Sequence, residues 1–236
     1  YTYTGALVDI RDENARITTQ HWEAFGDPSD ARLKSVQDAG SGLDGARTTT
    51  SYVYNALGSL TEVNQPGALR RWVYNPKNQL ESETHPESGL VGYTYDPVGN
   101  METRTDQEFG LTRFTYDGNN RLLFIDRPGG GHDVTLKWDA SDNRKLLQNG
   151  AVISTFDYDP ANRQTTRTDR ITALPASPPF VTTYVPDQKD NLHEIRYPSG
   201  TSVVYGYEAE NRLTSIAGGG RTLADEFHYH PSGGVL

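Results

Sequence analysis

Tyr93-Thr-Tyr-Asp-Pro-Val-Gly-Asn100 recurs as Phe114-Thr-Tyr-Asp-Gly-Asn-Asn-Arg121, as Phe156-Asp-Tyr-Asp-Pro-Ala-Asn-Arg163 and as Tyr205-Gly-Tyr-Glu-Ala-Glu-Asn-Arg212. Looser copies surround them. They are Tyr52-Val-Tyr-Asn-Ala-Leu-Gly-Ser59, Trp72-Val-Tyr-Asn-Pro-Lys-Asn-Gln79, Leu136-Lys-Trp-Asp-Ala-Ser-Asp-Asn143 and Tyr184-Val-Pro-Asp-Gln-Lys-Asp-Asn191. Phe227-His-Tyr-His-Pro-Ser-Gly-Gly234 ends the series, and His21-Trp-Glu-Ala-Phe-Gly-Asp27 reads as its start. The second aromatic slot falls at 22, 54, 74, 95, 116, 138, 158, 186, 207 and 229, so seven of nine intervals are 20 to 22 residues long. A repeat this regular sets the architecture before any single residue does.

The slot four residues after that aromatic holds Gly26, Gly58, Asn78, Gly99, Asn120, Asp142, Asn162, Asp190, Asn211 and Gly233. These are the residue types that tolerate positive φ. Asp or Asn follows the aromatic in seven copies, and Pro76, Pro97, Pro160 and Pro231 come next in four. Asp/Asn, then Pro, then Gly at the fourth position is the signature of a type I turn. A left-handed residue closing such a turn makes the bulge that suits a hairpin's twist. The motif is therefore a β-hairpin tip, with Asp96, Gly99, Asp117, Asn120, Asp159, Asn162 and Asn211 as its structural turn residues.

A second turn per repeat comes from Gln65-Pro66-Gly67, Pro86-Glu87-Ser88-Gly89, Pro128-Gly129-Gly130-Gly131 and Pro198-Ser199-Gly200. One repeat is then two strands and two turns, and no stretch shows helical period with caps. The expected fold is all-β: about ten antiparallel hairpins in one array over residues 1–236, weaker over 1–50. Twenty strands laid flat would span ~95 Å. Open sheets of that width curl, so a broad, curved or spiralling sheet around a cavity is expected. Two intervals are overlong, and the segments at about 27–50 and 170–182 read as protruding insertions.

The charge balance, 22 Lys and Arg against 31 Asp and Glu for a net −9, opposes nucleic-acid binding, which needs a basic face. It also opposes docking on anionic membranes. No apolar run is long enough for a membrane-spanning helix. Zero Cys excludes disulfides and thiolate chemistry. The chain opens at Tyr1 and its only methionine is Met101, so it reads as a fragment of something longer.

The Tyr-x-Tyr-Asp-x-x-Gly-Asn/Arg pattern resembles the RHS repeat, also called the YD (Tyr-Asp) repeat, over essentially the whole chain. Pro186 departs from it at the aromatic slot and His230 at the acidic one. The resemblance implies a hollow β-shell of the kind that encloses a toxin domain in bacterial RHS proteins, or that sits on a cell-surface receptor in teneurins. It implies a secreted or cell-surface location, and as partners the remainder of its own RHS chain and an enclosed toxin polypeptide. The function expected is that of a non-catalytic shell segment. The alternative is an adhesion module that binds glycans or cell-surface partners.

Candidate chemistry reduces to folding. The column Asn55, Asn75, Asp96, Asp117, Asp139, Asp159 and Asp187 could be read as catalytic carboxylates or Ca²⁺ ligands. Asn serves in it as well as Asp, which fits side chains capping their own turns. The tyrosine columns read as a cross-strand aromatic ladder more readily than as a glycan platform. Arg121, Arg163 and Arg212 are placed to lie over those rings. The His228/His230 pair has no third ligand near it in sequence. Asp96-Pro97-Val98-Gly99 resembles the Asp-Pro-x-Gly element of RHS autoproteases but lies inside an ordinary tip. No catalytic residue, metal site or cofactor is expected, and the only breaks in the repeat are the two insertions.

Overall fold

The computed structural model describes residues 4–24, 30–38, 40, 47–130, 133–225, 227 and 229. It is all-β, with twenty strands and no helix among the described residues. The chain divides into two compact units, one ending at Arg113 and the other starting at Phe114. The first unit holds β1 (Thr4–Arg11), β2 (Ile17–Ala24), β3 (Ala31–Gln37), β4 (Thr49–Tyr54) and β5 (Leu60–Gln65). It continues with β6 (Ala68–Tyr74), β7 (Leu80–His85), β8 (Gly89–Tyr95), β9 (Met101–Asp106) and most of β10 (Gly110–Tyr116). The second holds β11 (Leu122–Asp126), β12 (Val134–Trp138), β13 (Arg144–Asn149), β14 (Val152–Tyr158) and β15 (Gln164–Ile171). It ends with β16 (Phe180–Pro186), β17 (Leu192–Arg196), β18 (Ser202–Tyr207), β19 (Leu213–Gly218) and β20 (Arg221–Asp225).

Within each unit every strand pairs antiparallel with its neighbour in sequence, a plain meander. The aromatic slot pairs with the residue six positions on, as in Tyr54↔Leu60, Tyr74↔Leu80, Tyr95↔Met101, Tyr158↔Gln164 and Tyr207↔Leu213. The register shifts immediately before each of these pairs. That shift is the bulge demanded by a type I turn whose fourth residue is left-handed. The far-end turns are varied. At Gly218↔Arg221 two residues, Gly219 and Gly220, turn the chain with φ of 57° and 73°, the double positive φ of a type I′ turn.

Alternation along the strands separates two faces. In β6 exposure alternates, with Trp72 and Tyr74 half-buried and Arg71 and Val73 exposed. In β14 Ser154 and Phe156 are buried while Thr155 and Asp157 are exposed. The aromatic face therefore carries what burial there is: Ala24, Val91, Leu136 and Phe156 are its buried apolar residues, with Asp106 and Ser154 as buried polar ones. No described side chain is completely buried.

Three expectations are corrected. The segment at about 27–50 is not simply a protruding loop, because Ala31–Gln37 is β3 and pairs with both β2 and β4. Trp22 keeps its slot, but it pairs with Leu33, so its hairpin is longer than the others and Glu23 and Ala24 are strand residues. In the second insertion Ile171 still belongs to β15 and Phe180 already belongs to β16, which leaves 172–179 as the loop. A further tip, which the sequence repeat does not mark, lies at Asp12–Arg16: Asp12 N–H donates to Arg16 O, Ala15 N–H donates to Asp12 O, and Ala15 has φ 60°. Gly26, Gly233, His132, His228 and His230 lie outside the described residues.

Candidate functional site

At the seven repeat tips that open with Asp or Asn, the first residue caps the turn with its own side chain, whereas Glu208 binds only the Arg212 guanidinium. Asp96 Oδ1 accepts the N–H groups of Val98 (3.1 Å), Gly99 (2.8 Å) and Asn100 (2.8 Å), and its Oδ2 accepts Asn100 Nδ2 (2.9 Å). Asp117 Oδ1 accepts Asn119 N–H and Arg121 N–H, and Arg121 Nε donates to Oδ2 at 2.7 Å. Asp159 repeats this with Ala161, Arg163 and the Arg163 guanidinium. The Arg121 side chain holds the Asp117 carboxyl below the usual range, and the Arg163 backbone N–H does so for Asp159. At Asp96 desolvation pushes upward, but the bonds from Asn100, Gly99 and Val98 outweigh it and the net shift is downward. Asn55 and Asn75 cap their turns through the same contacts without a charge. The column is a set of turn caps, each saturated by its own loop.

The left-handed slot does more than supply φ. Asn120, Asn162 and Asn211 have φ of 62°, 62° and 61°, and Gly99 has 105°. In five of the copies where the slot is Asn or Asp, its side chain also accepts a bond from the preceding tip. Asn162 Oδ1 accepts Asn143 Nδ2 at 2.9 Å, Asn211 Oδ1 accepts Asn191 Nδ2 at 3.1 Å, and Asn78 Oδ1 accepts Ser59 Oγ at 2.8 Å. Asp142 accepts Arg121 Nη1 at 2.7 Å, and Asp190 pairs with Arg163. Gly meets the conformational demand and cannot make this clasp, which accounts for the preference for Asn and Asp.

The aromatic slot is a second link between repeats. Tyr54 donates its hydroxyl to Leu33 O (3.0 Å), Tyr74 to Leu60 O (3.0 Å) and Tyr95 to Leu80 O (2.8 Å). In the second unit Trp138 Nε1 donates to Leu122 O (2.8 Å), and Tyr158 donates to Arg144 O (3.0 Å). Tyr207 donates to Leu192 O (2.9 Å) and Tyr229 to Leu213 O (2.7 Å). Leu33, Leu60, Leu80, Arg144, Leu192 and Leu213 are each paired with the preceding slot, so these rungs join one hairpin to the next. Pro186 has no hydroxyl and breaks the series at Gln164. Arg121 lies over Trp138 at 6.0 Å and Arg212 over Tyr229 at 5.2 Å. Arg163, whose next slot is Pro186, instead pairs with Asp159 and Asp190.

The repeat is also broken inside the strands, which the sequence reading missed. The residue nine beyond the aromatic slot is Val63, Ile125, Leu147, Ile195 or Ile216 in five copies, and Glu83, Arg104 or Arg167 in three. Glu83 Oε1 accepts the Tyr93 hydroxyl at 2.6 Å, and its Oε2 lies 3.2 Å from His85 Nε2. His85 meets Trp72 edge-on at 5.6 Å, and Arg104 Nη2 donates to Asp106 at 2.7 Å. The Tyr93 bond, aided by His85, holds Glu83 below the usual carboxylate range against desolvation. Burial and then Glu83 push the Tyr93 phenol up. A general acid or base needs a pKa near working pH, and both groups are moved away from it. In the second unit Ser154 donates to Asp169 at 2.5 Å, beside Arg167 Nε at 2.9 Å on the same oxygen. A carboxylate already paired with a guanidinium is a poor base for a serine hydroxyl. Both clusters are hydrogen-bonded struts between strands.

No family model matches this chain, and no curated protein matches it in sequence. Solved structures do match in fold. The crystal structure of TcdB2-TccC3-Cdc42 has a TM-score of 0.61 at 16% identity, with 89% of this chain covered. That of TcdB2-TccC3 without its hypervariable C-terminal region has a TM-score of 0.70 at 12% identity over 93% of this chain. The Tc holotoxin pore of Photorhabdus luminescens carrying a TccC3 mutation gives 0.58 at 14% identity over 92%. This chain spans 13 to 15% of the length of those chains. The likeness is one of fold.

Proposed function

We propose that the chain is an RHS/YD-repeat segment that forms part of the wall of a β-shell, and that the shell encloses a toxin or effector polypeptide. The observation that carries this reading is the tip ladder: seven aromatic-slot residues donate to the preceding hairpin, and five tips are also clasped to the one before by a side chain. Such a unit gains stability by being extended along the array, as repeat architectures do, and it builds a wall more readily than a core. The fold likeness to TcdB2-TccC3 chains, which belong to toxin complexes, supports the same assignment and favours an extracellular or secreted setting. The remainder of the same polypeptide is then its principal partner. No catalysis is assigned to the segment, because the carboxylates on its tips are consumed in turn caps and Glu83 is held ionised beside an un-ionised Tyr93.

The test is protection. The natural protein containing this segment is purified and digested with a broad-specificity protease, with and without prior denaturation. On this reading a polypeptide outside the repeat region resists digestion until the repeat region is unfolded. Digestion of everything outside the repeats at equal rates before and after denaturation contradicts it.

A further inference from the structure

The loop at 172–179, which interrupts the repeat in the second unit, meets the turn at Tyr197–Thr201. Between them lies a depression of about 760 Å³ walled by the rings of Pro178, Pro179, Phe180, Tyr197 and Pro198. Ser177 and Ser199 contribute the flanking hydroxyl-bearing residues. Phe180 is 47% and Tyr197 40% exposed. Their rings share a face: Ile195 pairs with Tyr184, and alternation places residues 180, 184, 195 and 197 on the aromatic side of the sheet.

Folding alone does not account for Tyr197. Its turn has the geometry of a regular tip, with Tyr197 N–H donating to Thr201 O at 2.8 Å, Gly200 N–H donating to Tyr197 O at 3.0 Å, and Gly200 at φ 82°. Tyr197-Pro198-Ser199-Gly200 is thus Asp96-Pro97-Val98-Gly99 with the capping Asp exchanged for Tyr, which cannot cap. Departures from the locally best residue concentrate at functional sites. The loop opposite is held by two consecutive turns, Leu174 N–H to Ile171 O and Ser177 N–H to Leu174 O, both 3.0 Å, and by Thr172 N–H to Ala151 O at 2.9 Å. Pro175, Pro178 and Pro179 fix their own φ. The backbone that carries the two rings is therefore held before any ligand arrives, which lowers the entropy cost of binding.

Its chemistry is selective. Two other depressions carry charge on their walls, Asp30, Arg32 and Lys34 in one and Lys77, Glu81 and Asp96 in the other. This one has no charged residue in its lining, on a chain of net charge −9 that repels anions. Flat apolar rings bordered by hydroxyls, with no charge to desolvate, match a pyranose, whose C–H faces stack on rings while its edge hydroxyls hydrogen-bond. We infer that Phe180 and Tyr197, framed by the three prolines, form a binding site for a neutral saccharide. This goes beyond the shell assignment and does not depend on it.

The test is saturation-transfer difference NMR on the purified chain with cellobiose, maltose and N,N′-diacetylchitobiose, and with decaproline as the rival class of ligand. Ring-proton saturation is expected for at least one disaccharide, with Kd on the order of 1 mM for so small a contact. Tyr197→Ala and Phe180→Ala should each weaken it roughly tenfold, whereas Phe109→Ala, which removes an exposed ring in the other unit, should not. Tyr197→Asp separates binding from folding: it restores the tip cap, so the melting temperature should hold or rise while saturation is lost. Absence of saturation with all three disaccharides overturns the inference. So does saturation indifferent to Tyr197 and Phe180, or binding of decaproline alone.

Discussion

Removing single hydroxyls from the aromatic ladder tests whether the repeats are joined by hydrogen bonds or only by ring packing. Tyr74→Phe, Tyr95→Phe, Tyr158→Phe and Tyr207→Phe keep the ring and delete donors that sit 2.8 to 3.0 Å from carbonyl oxygens. A net protein hydrogen bond contributes about 0.5–1.5 kcal/mol. These donors are half-buried, so water can partly replace each lost bond, and the expected cost is about 0.5–1 kcal/mol per rung. Tyr158 and Tyr207 lie in one unit, far enough apart in the array for their effects to add, so the double variant should lose about 1–2 kcal/mol. Urea denaturation is the assay, with m compared across variants so that a change in midpoint reports stability alone. Pro186→Tyr runs the test in reverse: it supplies the missing donor opposite Gln164 and should raise stability by about 0.5–1 kcal/mol. Four Tyr→Phe variants all within 0.3 kcal/mol of the parent, roughly the limit of such comparisons, would refute the ladder as a source of cohesion.

Asn162→Val opposes a φ of 62° and loses the bond from Asn143, so thermal melts should show a loss of about 1–3 kcal/mol; Asn162→Gly should fall between the two, since it frees φ and still forfeits the clasp. Asp96, Asp117 and Asp159 have depressed carboxyl pKa values in the folded chain, so their stabilisation is complete above the unfolded value of about 3.9 and fades as pH falls through the lower folded values. A stability profile flat from pH 5 to pH 2 contradicts the capping role. Glu83→Leu strands the Tyr93 hydroxyl and His85 and should destabilise, whereas Glu83→Leu with Tyr93→Phe removes both halves of the bond and should recover most of the loss in a double-mutant cycle. Intact mass followed over days should stay constant, and a cut at Asp96-Pro97 at neutral pH would show chemistry that the saturated Asp96 carboxylate does not provide.

The tips were legible because their constraints are local. A type I turn with a left-handed fourth residue writes Asp, Pro and Gly or Asn into fixed slots, and ten copies in register make the pattern unmistakable. The tip at Asp12–Arg16 was not legible, because Arg11 stands in its aromatic slot and Ala15 in its left-handed one; the hydrogen bonds of Asp12 alone sustain the turn. Strand β3 was hidden because the hairpin from Trp22 to Leu33 is longer than the repeat and shifts the period. The inter-repeat links depend on which residues face one another across hairpins, which no local motif encodes. The Glu83, Arg104 and Arg167 column did carry a signal, since charged residues stand where other copies have Val, Ile or Leu, but it appears only once the strands are aligned by register. The site between Phe180 and Tyr197 joins two segments that each read as an irregular turn, and only their meeting gives it a shape.

Electron cryomicroscopy of the natural protein that contains this segment tests the central claim most directly. The account predicts a hollow β-shell with these hairpins as successive strands of its wall and density for a further polypeptide inside. A solid particle, or a shell whose wall excludes residues 49–225, would contradict it.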